Sequence, residues 1–488
     1  MKIEFQQAPL QLDWAEIRSD AAVAWHSTEV EIVGWMIPLD PGSNAADYFV
    51  LAASEPCCGS CPPCDPLTSL EVFASGSVAL HAGPLRLRGR LLRLQDDPAG
   101  WRYRLEGAEL AQEPGAITTS TLRPNRRAFL ALGAALGLAA CAPGRSAGQA
   151  EPREGESAPW RASAGVVTID MHSHAGRVTM SRDPAIGAHR PFTPLSAPMV
   201  AGGMNVICIA IVTDTLVTRV SADRRRFEAW RKPEPGELYR LSQDAFERAK
   251  ALVEHERISV VTHADALASA EAAGPRAIIS AEGADFLEGR LERVDEAFTQ
   301  HQLRHLQLTH YRVNELGDIQ TEAPVHGGLT DFGADVVRRC NALGIVVDVA
   351  HGTFDLVKRA AAVTTKPLVL SHTALATRPT GRGRLISADH ARAVAETGGV
   401  IGVWPSSSSF HNLQDMAHGF RRMADVVGVD HVGLGTDMLG FISPPVFTSY
   451  AQLPSLGSAL LAAGFSQSET EQILGGNYRR VFAASVAN

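Results

Sequence analysis

Lysine is scarce in this chain: only Lys2, Lys232, Lys250, Lys358 and Lys366 occur, so the basic charge is almost entirely arginine. Excess positive charge is also missing. The formal net charge is −8, which excludes a general nucleic-acid binder, because such a protein needs a basic stripe. Long apolar runs are absent too. The run Ala128–Ala140 has 13 residues, against the ~20 that a membrane-spanning helix takes. The seven cysteines are too unevenly placed to form a disulfide framework for a chain of 488 residues. Cys208 and Cys340 lie in apolar surroundings and are expected as small buried hydrophobes. What is present is 45% hydrophobic and 20% charged, the balance of a packed globular protein. The length exceeds one ordinary core and predicts two or three domains.

Residues 1–120 read as a small β-rich domain. Alternating β-formers occur over Glu29–Ile37, Tyr48–Ala52, Leu70–Phe73, Leu85–Leu94 and Arg102–Glu106. Turn residues at Asp40-Pro41-Gly42 and Asp97-Pro98-Ala99-Gly100 punctuate them. A five-stranded small barrel, OB-like, is expected. Cys57, Cys58, Cys61 and Cys64 crowd into one of its loops. A structural metal, disulfides and free thiols all remain open for that cluster.

Residues 121–164 change character. Arg126-Arg127, the apolar run and Leu138-Ala139-Ala140-Cys141 have the order of a twin-arginine export signal ending in a lipoprotein box. Cys141 would then carry a lipid anchor, and the expected location is exported, periplasmic or membrane-anchored. Without use of the signal it is cytoplasmic. A signal placed this far along implies either two proteins fused in frame or a translation start near Leu122. The stretch 142–164, rich in Pro, Gly, Ser, Ala and Glu, reads as a tether.

From residue 165 to 488, eight near-continuous apolar runs alternate with helical spacers. The runs are Val166–Met171, Met204–Val212, Ala277–Ala281, Leu303–Thr309, Gly344–Ala350, Pro367–Ser371, Gly399–Val403 and His431–Thr436. Amphipathic segments such as Asp331–Leu343, Thr353–Val363 and Ala388–Thr397 lie between them. Strands buried on both faces with helical crossovers predict an α/β fold, a parallel (β/α)₈ TIM barrel.

The active site of such a barrel lies at the C-terminal rim, so the residues that end each strand carry the reading. The first run ends in His172-Ser173-His174, the third in Glu282, the fifth in His351 and the sixth in His372. Period-two alternation puts His172 and His174 on one side of their strand. A buried carboxylate is costly unless paired or metal-bound, so Glu282 can bridge two cations. Imidazole and carboxylate suit Zn²⁺, with Mn²⁺, Co²⁺ and Fe²⁺ as alternatives. A pair of divalent ions is therefore the expected cofactor. None of the five lysines falls at a predicted rim, so a lysine-derived bridge is excluded and Glu282 is the candidate. The eighth run ends in Asp437, a carboxylate able to take a proton from a metal-bridging hydroxide's parent water.

Residues 166–488 resemble the membrane (renal-type) dipeptidase family of the amidohydrolase superfamily. The resemblance rests on Ile278-Ile279-Ser280-Ala281-Glu282-Gly283, Leu306-Gln307-Leu308-Thr309-His310, Gly328-Leu329-Thr330-Asp331-Phe332-Gly333, Gly428-Val429-Asp430-His431-Val432-Gly433-Leu434-Gly435-Thr436-Asp437 and Gly475-Gly476-Asn477-Tyr478. It implies a zinc-dependent dipeptidase in which Glu282 bridges two ions, His172 and His174 hold one, and His351 and His372 the other. It further implies that His310 polarises the scissile carbonyl or steadies the oxyanion. An arginine after strand six would pair with the substrate carboxylate; Arg384 fits best, with Arg378 and Arg382 nearby. The family's usual His-x-Asp on strand one is here His172-Ser173-His174, and its Asp-Phe-Asp-Gly is Asp437-Met438-Leu439-Gly440. These departures bear on substrate more than on metal. The amino-terminal domain is similar to a small uncharacterised bacterial domain of exported proteins, on Val33-Gly34-Trp35-Met36-Ile37-Pro38-Leu39 and the cysteine cluster. Two alternatives stand beside a dipeptidase. One is an amidohydrolase acting on an N-acyl amino acid, lactone or other amide. The other is a non-catalytic, lipid-tethered binding protein. The expected partner is a small dipeptide-like substrate; self-association as a homodimer is left open.

Overall fold

The computed structural model describes residues 10–38, 45–55, 66–81, 83–94, 102–111, 159–182, 187–221, 226–268, 274–377, 383–442 and 445–486. The Cys57–Cys64 cluster, the export-signal segment with Cys141, Arg378 and Arg382 lie outside the described residues.

The amino-terminal part contains β1 (Leu10–Gln11), β2 (Thr28–Pro38), β3 (Ala45–Ala52), β4 (Ser69–Ala79), β5 (Leu85–Arg93) and β6 (Tyr103–Leu110). Strands β2 to β6 close on themselves in the order β2-β3-β4-β6-β5-β2. Within that ring only β4 and β6 run parallel, which is an OB-like closed barrel. Alternation drives the closure. In β5 the residues Leu85, Leu87, Gly89 and Leu91 are buried while their neighbours are more exposed. These leucines pack with Val30, Ile32, Phe49, Leu51, Val72 and Leu105 in one core.

The second part is built from β7 (Ile169–Ser173), β8 (Val206–Val212), the hairpin β9 (Thr218–Val220) and β10 (Phe227–Ala229), β11 (Ser259–Val260), β12 (Arg276–Glu282), β13 (His305–Gln307), β14 (Val346–Asp348), β15 (Val369–Thr373), β16 (Val400–Val403) and β17 (Val432–Leu434). Eight of these form a parallel barrel in the order β7-β8-β12-β13-β14-β15-β16-β17. A parallel bridge between Ser173 and Met438 joins the last strand to the first. All eight predicted runs form these strands. Strand one is displaced from its expected span: it runs to Ser173, because pairing with β8 continues to Ser173. His172 therefore lies within the strand and His174 just beyond it.

The intervening helices follow the predicted spans closely. Helix Asp331–Leu343 is capped by the Thr330 hydroxyl, and helix Phe354–Val363 by that of Thr353. The helix after β15 ends at Ala395, two residues before the expected Thr397, where Thr397 turns its hydroxyl back to the Val394 carbonyl. Two glycines allow close strand approach near the rim. A Cβ on Gly402 of β16 or on Gly435 just past β17 would fall 1.7 or 1.8 Å from the Ser371 carbonyl oxygen of β15, so only glycine fits at these two positions. No helix of the described residues is long and apolar enough to cross a membrane.

Candidate metal centre at the barrel rim

The register of the parallel strands brings the chosen side chains to one place. Glu282 pairs with Val212 at the carboxyl end of β12, and its side chain is 3% exposed. Its Oε1 lies 3.4 Å from His172 Nε2, 3.2 Å from His351 Nε2 and 3.5 Å from His372 Nε2. Its Oε2 lies 3.1 Å from His174 Nε2 and 3.3 Å from His310 Nε2. Asp437 Oδ1 stands 3.3 Å from His174 Nε2. Every one of these groups is buried. The five expected ligands, His310 and Asp437 thus converge.

Other contacts aim the rings. The Ala210 carbonyl can only accept, so His174 Nδ1, 2.8 Å away, carries the proton and leaves Nε2 for the centre. Ser371 Oγ sits 2.8 Å from His372 Nδ1. Asp170 braces the β7–β17 junction. Its carboxylate accepts the Thr436 backbone N–H, the Thr436 hydroxyl and the Tyr450 hydroxyl at 2.9, 2.5 and 2.7 Å. Burial raises this carboxyl to about 6 against those hydrogen bonds. Asp348 receives the Ser371 and Ala350 backbone N–H groups and faces His305, which fixes the base of the His372 strand.

Backbone strain marks the same place. His351 has φ 67° and Asp437 φ 46°, left-handed values that non-glycine residues hold only when their surroundings impose them.

The donor set fits metal ions. His351 Nε2 and His372 Nε2 approach to 3.1 Å, and His172 Nε2 is buried without a hydrogen-bond partner. Burial holds the pKa of His351 and His372 well below the ordinary value, with the Arg384 charge adding to it. They are thus neutral imidazoles, the ligating form. For His174, burial opposes protonation, but hydrogen bonds to Asp437 and Glu282 outweigh it and raise the group to about 10. A proton there, or a cation between the two carboxylates, balances their charge. Among the described residues, three sets offer ligand atoms within 4.8 Å of one another: His172-His174-Asp437, His172-Glu282-His372 and Glu282-His310-His351.

Asp214 is a site residue that sequence reasoning missed. Its Oδ1 lies 2.8 Å from His310 Nδ1, and its Oδ2 accepts the Tyr311 backbone N–H at 3.1 Å. Burial would raise the Asp214 carboxyl, but the His310 charge and hydrogen bond pull it lower. Burial would lower His310, but Asp214 and Glu282 raise it. Asp214 follows β8, one of the two strands whose ends offered no candidate; its place at a strand end is a signal, but its role shows only once His310 folds against it. Arg384 also reaches the rim. It donates to Gln320 Oε1 at 2.7 Å and to the His372 carbonyl at 3.3 Å, and its guanidinium carbon lies 5.3 Å from the centre of the Trp404 ring. A small cleft lined by Phe227, Tyr311, Arg182 and Leu439 opens onto Glu282, His310 and Asp437.

A parallel eight-stranded barrel with a histidine–carboxylate rim is the architecture of the amidohydrolase class. Within it, this chain belongs to the membrane dipeptidase family (peptidase family M19), whose profile matches residues 237–488. That stretch leaves out His172, His174 and Asp214. The chain is 30% identical over 189 residues to dipeptidase aclJ of Aspergillus oryzae, covering 37% of this chain and 44% of that protein. It is 29% identical over 240 residues to dipeptidase 3 of Mus musculus, covering 47% and 48%. The chain thus spans about half the length of these curated relatives. In fold it is similar to the dipeptidase AC, a family M19 metallopeptidase, with TM-score 0.55 and 20% identity over 66% of this chain and 100% of that one. It is similarly close to a metallopeptidase from Rhodobacter sphaeroides liganded with a phosphinate mimic of the dipeptide L-Ala-D-Ala. The TM-score there is 0.54 and the identity 21%, over 66% and 99% of the two chains.

Proposed function

We propose that this chain is a metal-dependent dipeptidase. The observation that carries the reading is Glu282, a buried carboxylate whose two oxygens face five imidazole nitrogens. His172, His174 and Asp437 would hold one divalent ion, His351 and His372 the other, with Glu282 shared; zinc suits these donors best. Bound there, the ions would acidify a water and polarise the scissile carbonyl.

The chain's own groups do the rest. Asp437 Oδ1 points into the cleft beside His174 and takes the proton of the attacking water, then returns it to the leaving amine. Asp214 holds His310 through Nδ1, and Asp214 and Glu282 together favour the protonated form against burial; in that form the ring would turn Nε2–H toward the oxyanion that forms at the carbonyl. The Arg384 fork, braced by Gln320, pairs with the substrate's terminal carboxylate. Tyr311 and Phe227 give the cleft an apolar wall. The relatives named dipeptidases and the neighbour bound to a dipeptide mimic support this substrate class. An imidazole at position 174, where the family has a carboxylate, keeps N-acyl amino acids and lactones as the competing class.

The full chain supplied with Zn²⁺ is expected to hydrolyse dipeptides, and EDTA or His372→Ala to abolish it. Hydrolysis unaffected by both treatments, or turnover confined to acyl amino acids or lactones in the same panel, would overturn the dipeptidase reading. The export route and the lipid at Cys141 rest on the sequence alone. Mass spectrometry of the mature amino terminus tests them.

A further inference from the structure

The loop that follows His174 is gripped from outside the large barrel. Gly176 and Arg177 both adopt left-handed φ values, 71° and 58°. Arg177 is not a glycine, so its conformation must be imposed by what surrounds it. Its guanidinium donates to Glu71 Oε1, and Glu71 belongs to β4 of the small barrel and is fully buried. Arg104 of β6 donates Nε and Nη2 to Glu71 Oε2 at 3.0 and 2.9 Å. Arg190 Nη2 lies 3.9 Å from Oε1. The Phe73 ring lies beside both guanidiniums, 4.8 Å from Arg104 and 5.9 Å from Arg177. From the other side, Arg248 donates to the Arg177 and Val178 carbonyls at 2.6 and 3.0 Å.

One carboxylate of the small barrel therefore meets two arginines of the large one, with Arg248 close behind. Burial and the like charges of Arg190 and Arg248 press the Arg177 pKa well below its ordinary value, so an anion at this point is what keeps the cluster charged and compact. Breaking a buried ion pair leaves an uncompensated charge, and here that charge would lie three residues from His174.

We propose that Glu71 is a positioning residue for the metal rim: through Arg177 the small barrel clamps the His174 loop, and the two barrels form one hydrolytic unit. That the unit is hydrolytic rests on the dipeptidase reading; the effects on zinc binding and exchange do not.

The test compares full-length wild type with Glu71→Gln, Glu71→Asp and Arg93→Met. The last breaks the Arg93–Asp20 pair inside the small barrel and serves as a control. Hydrogen exchange of the 174–180 backbone is measured in metal-free protein, and Zn²⁺ affinity by competition with a chelating dye. Glu71→Gln is expected to speed exchange in this segment and weaken one of the zinc-binding steps by about tenfold or more, the scale on which groups behind metal ligands act. Glu71→Asp should recover part of both, and Arg93→Met should match wild type. Folded Glu71→Gln with wild-type exchange and zinc affinity would overturn the proposal. If Glu71→Gln does not fold, Arg177→Gln, which leaves the Glu71–Arg104 pair intact, must show the same two changes or the proposal fails. Wild type that binds zinc but cleaves no dipeptide would refute the dipeptidase reading alone.

Discussion

Two buried glutamates divide the chemistry of this molecule between them. Glu71 faces guanidiniums: Arg104, Arg177 and Arg190. That carboxylate therefore finds its cationic partners within the polypeptide. Glu282 faces imidazoles instead. Burial keeps two of them, His351 and His372, neutral. A buried carboxylate beside two neutral imidazoles offers oxygen and nitrogen lone pairs to a divalent cation. A third acid, Asp318, accepts backbone N–H groups from Val325, His326 and Gly328. Identity of the residue type says little about role; the ionisation state of its neighbours says a great deal.

The comparison can be broken first at His310. If the Glu282 cluster is chemical rather than structural, His310→Ala should lower kcat by about 10²–10³-fold, the usual loss for an oxyanion donor, with a small change in melting temperature. A large stability loss with unchanged kcat would place His310 with the Glu71 kind of group. Asp318 sharpens the other end of the scale. Burial would raise its carboxyl, but the backbone N–H groups outweigh this and lower it from 3.8. A depressed carboxyl stabilises the fold above its unfolded pKa and loses that contribution as pH falls through the folded value. Asp318→Asn is thus expected to cost about 1–2 kcal/mol near neutral pH, with the gap to wild type narrowing below about pH 4. Denaturant melts at several pH values check this, and a gap that widens in acid would contradict it.

Much of this was legible in the sequence. Strands buried on both faces read as continuous apolar runs, and all eight barrel strands were found that way. The same property exposes their ends, where a polar residue stands out: His172, Glu282, His351, His372 and Asp437 were each chosen for following such a run, and the barrel brings them together. Asp214 was passed over because nothing in Thr213-Asp214-Thr215 distinguishes a histidine's orienting partner from a loop acid; the distinction exists only once His310, 96 residues away, folds against it. Gln320, the brace of Arg384, was invisible for the same reason. The Glu71–Arg177 contact joins β4 of one barrel to the first loop of the other across 106 residues, and no periodicity carries such information. The small barrel's closure was readable from alternation, whereas the parallel pairing of β4 with β6 is a long-range contact that alternation does not encode.

The central claim is that Glu282 organises a pair of divalent ions, and metal analysis of the purified full chain tests it most directly. After dialysis against Zn²⁺ at neutral pH, wild type should retain a pair of ions per chain, and Glu282→Gln should lose at least one of them while staying folded. Fewer than one ion per chain in wild type, or full retention in Glu282→Gln, would contradict the account.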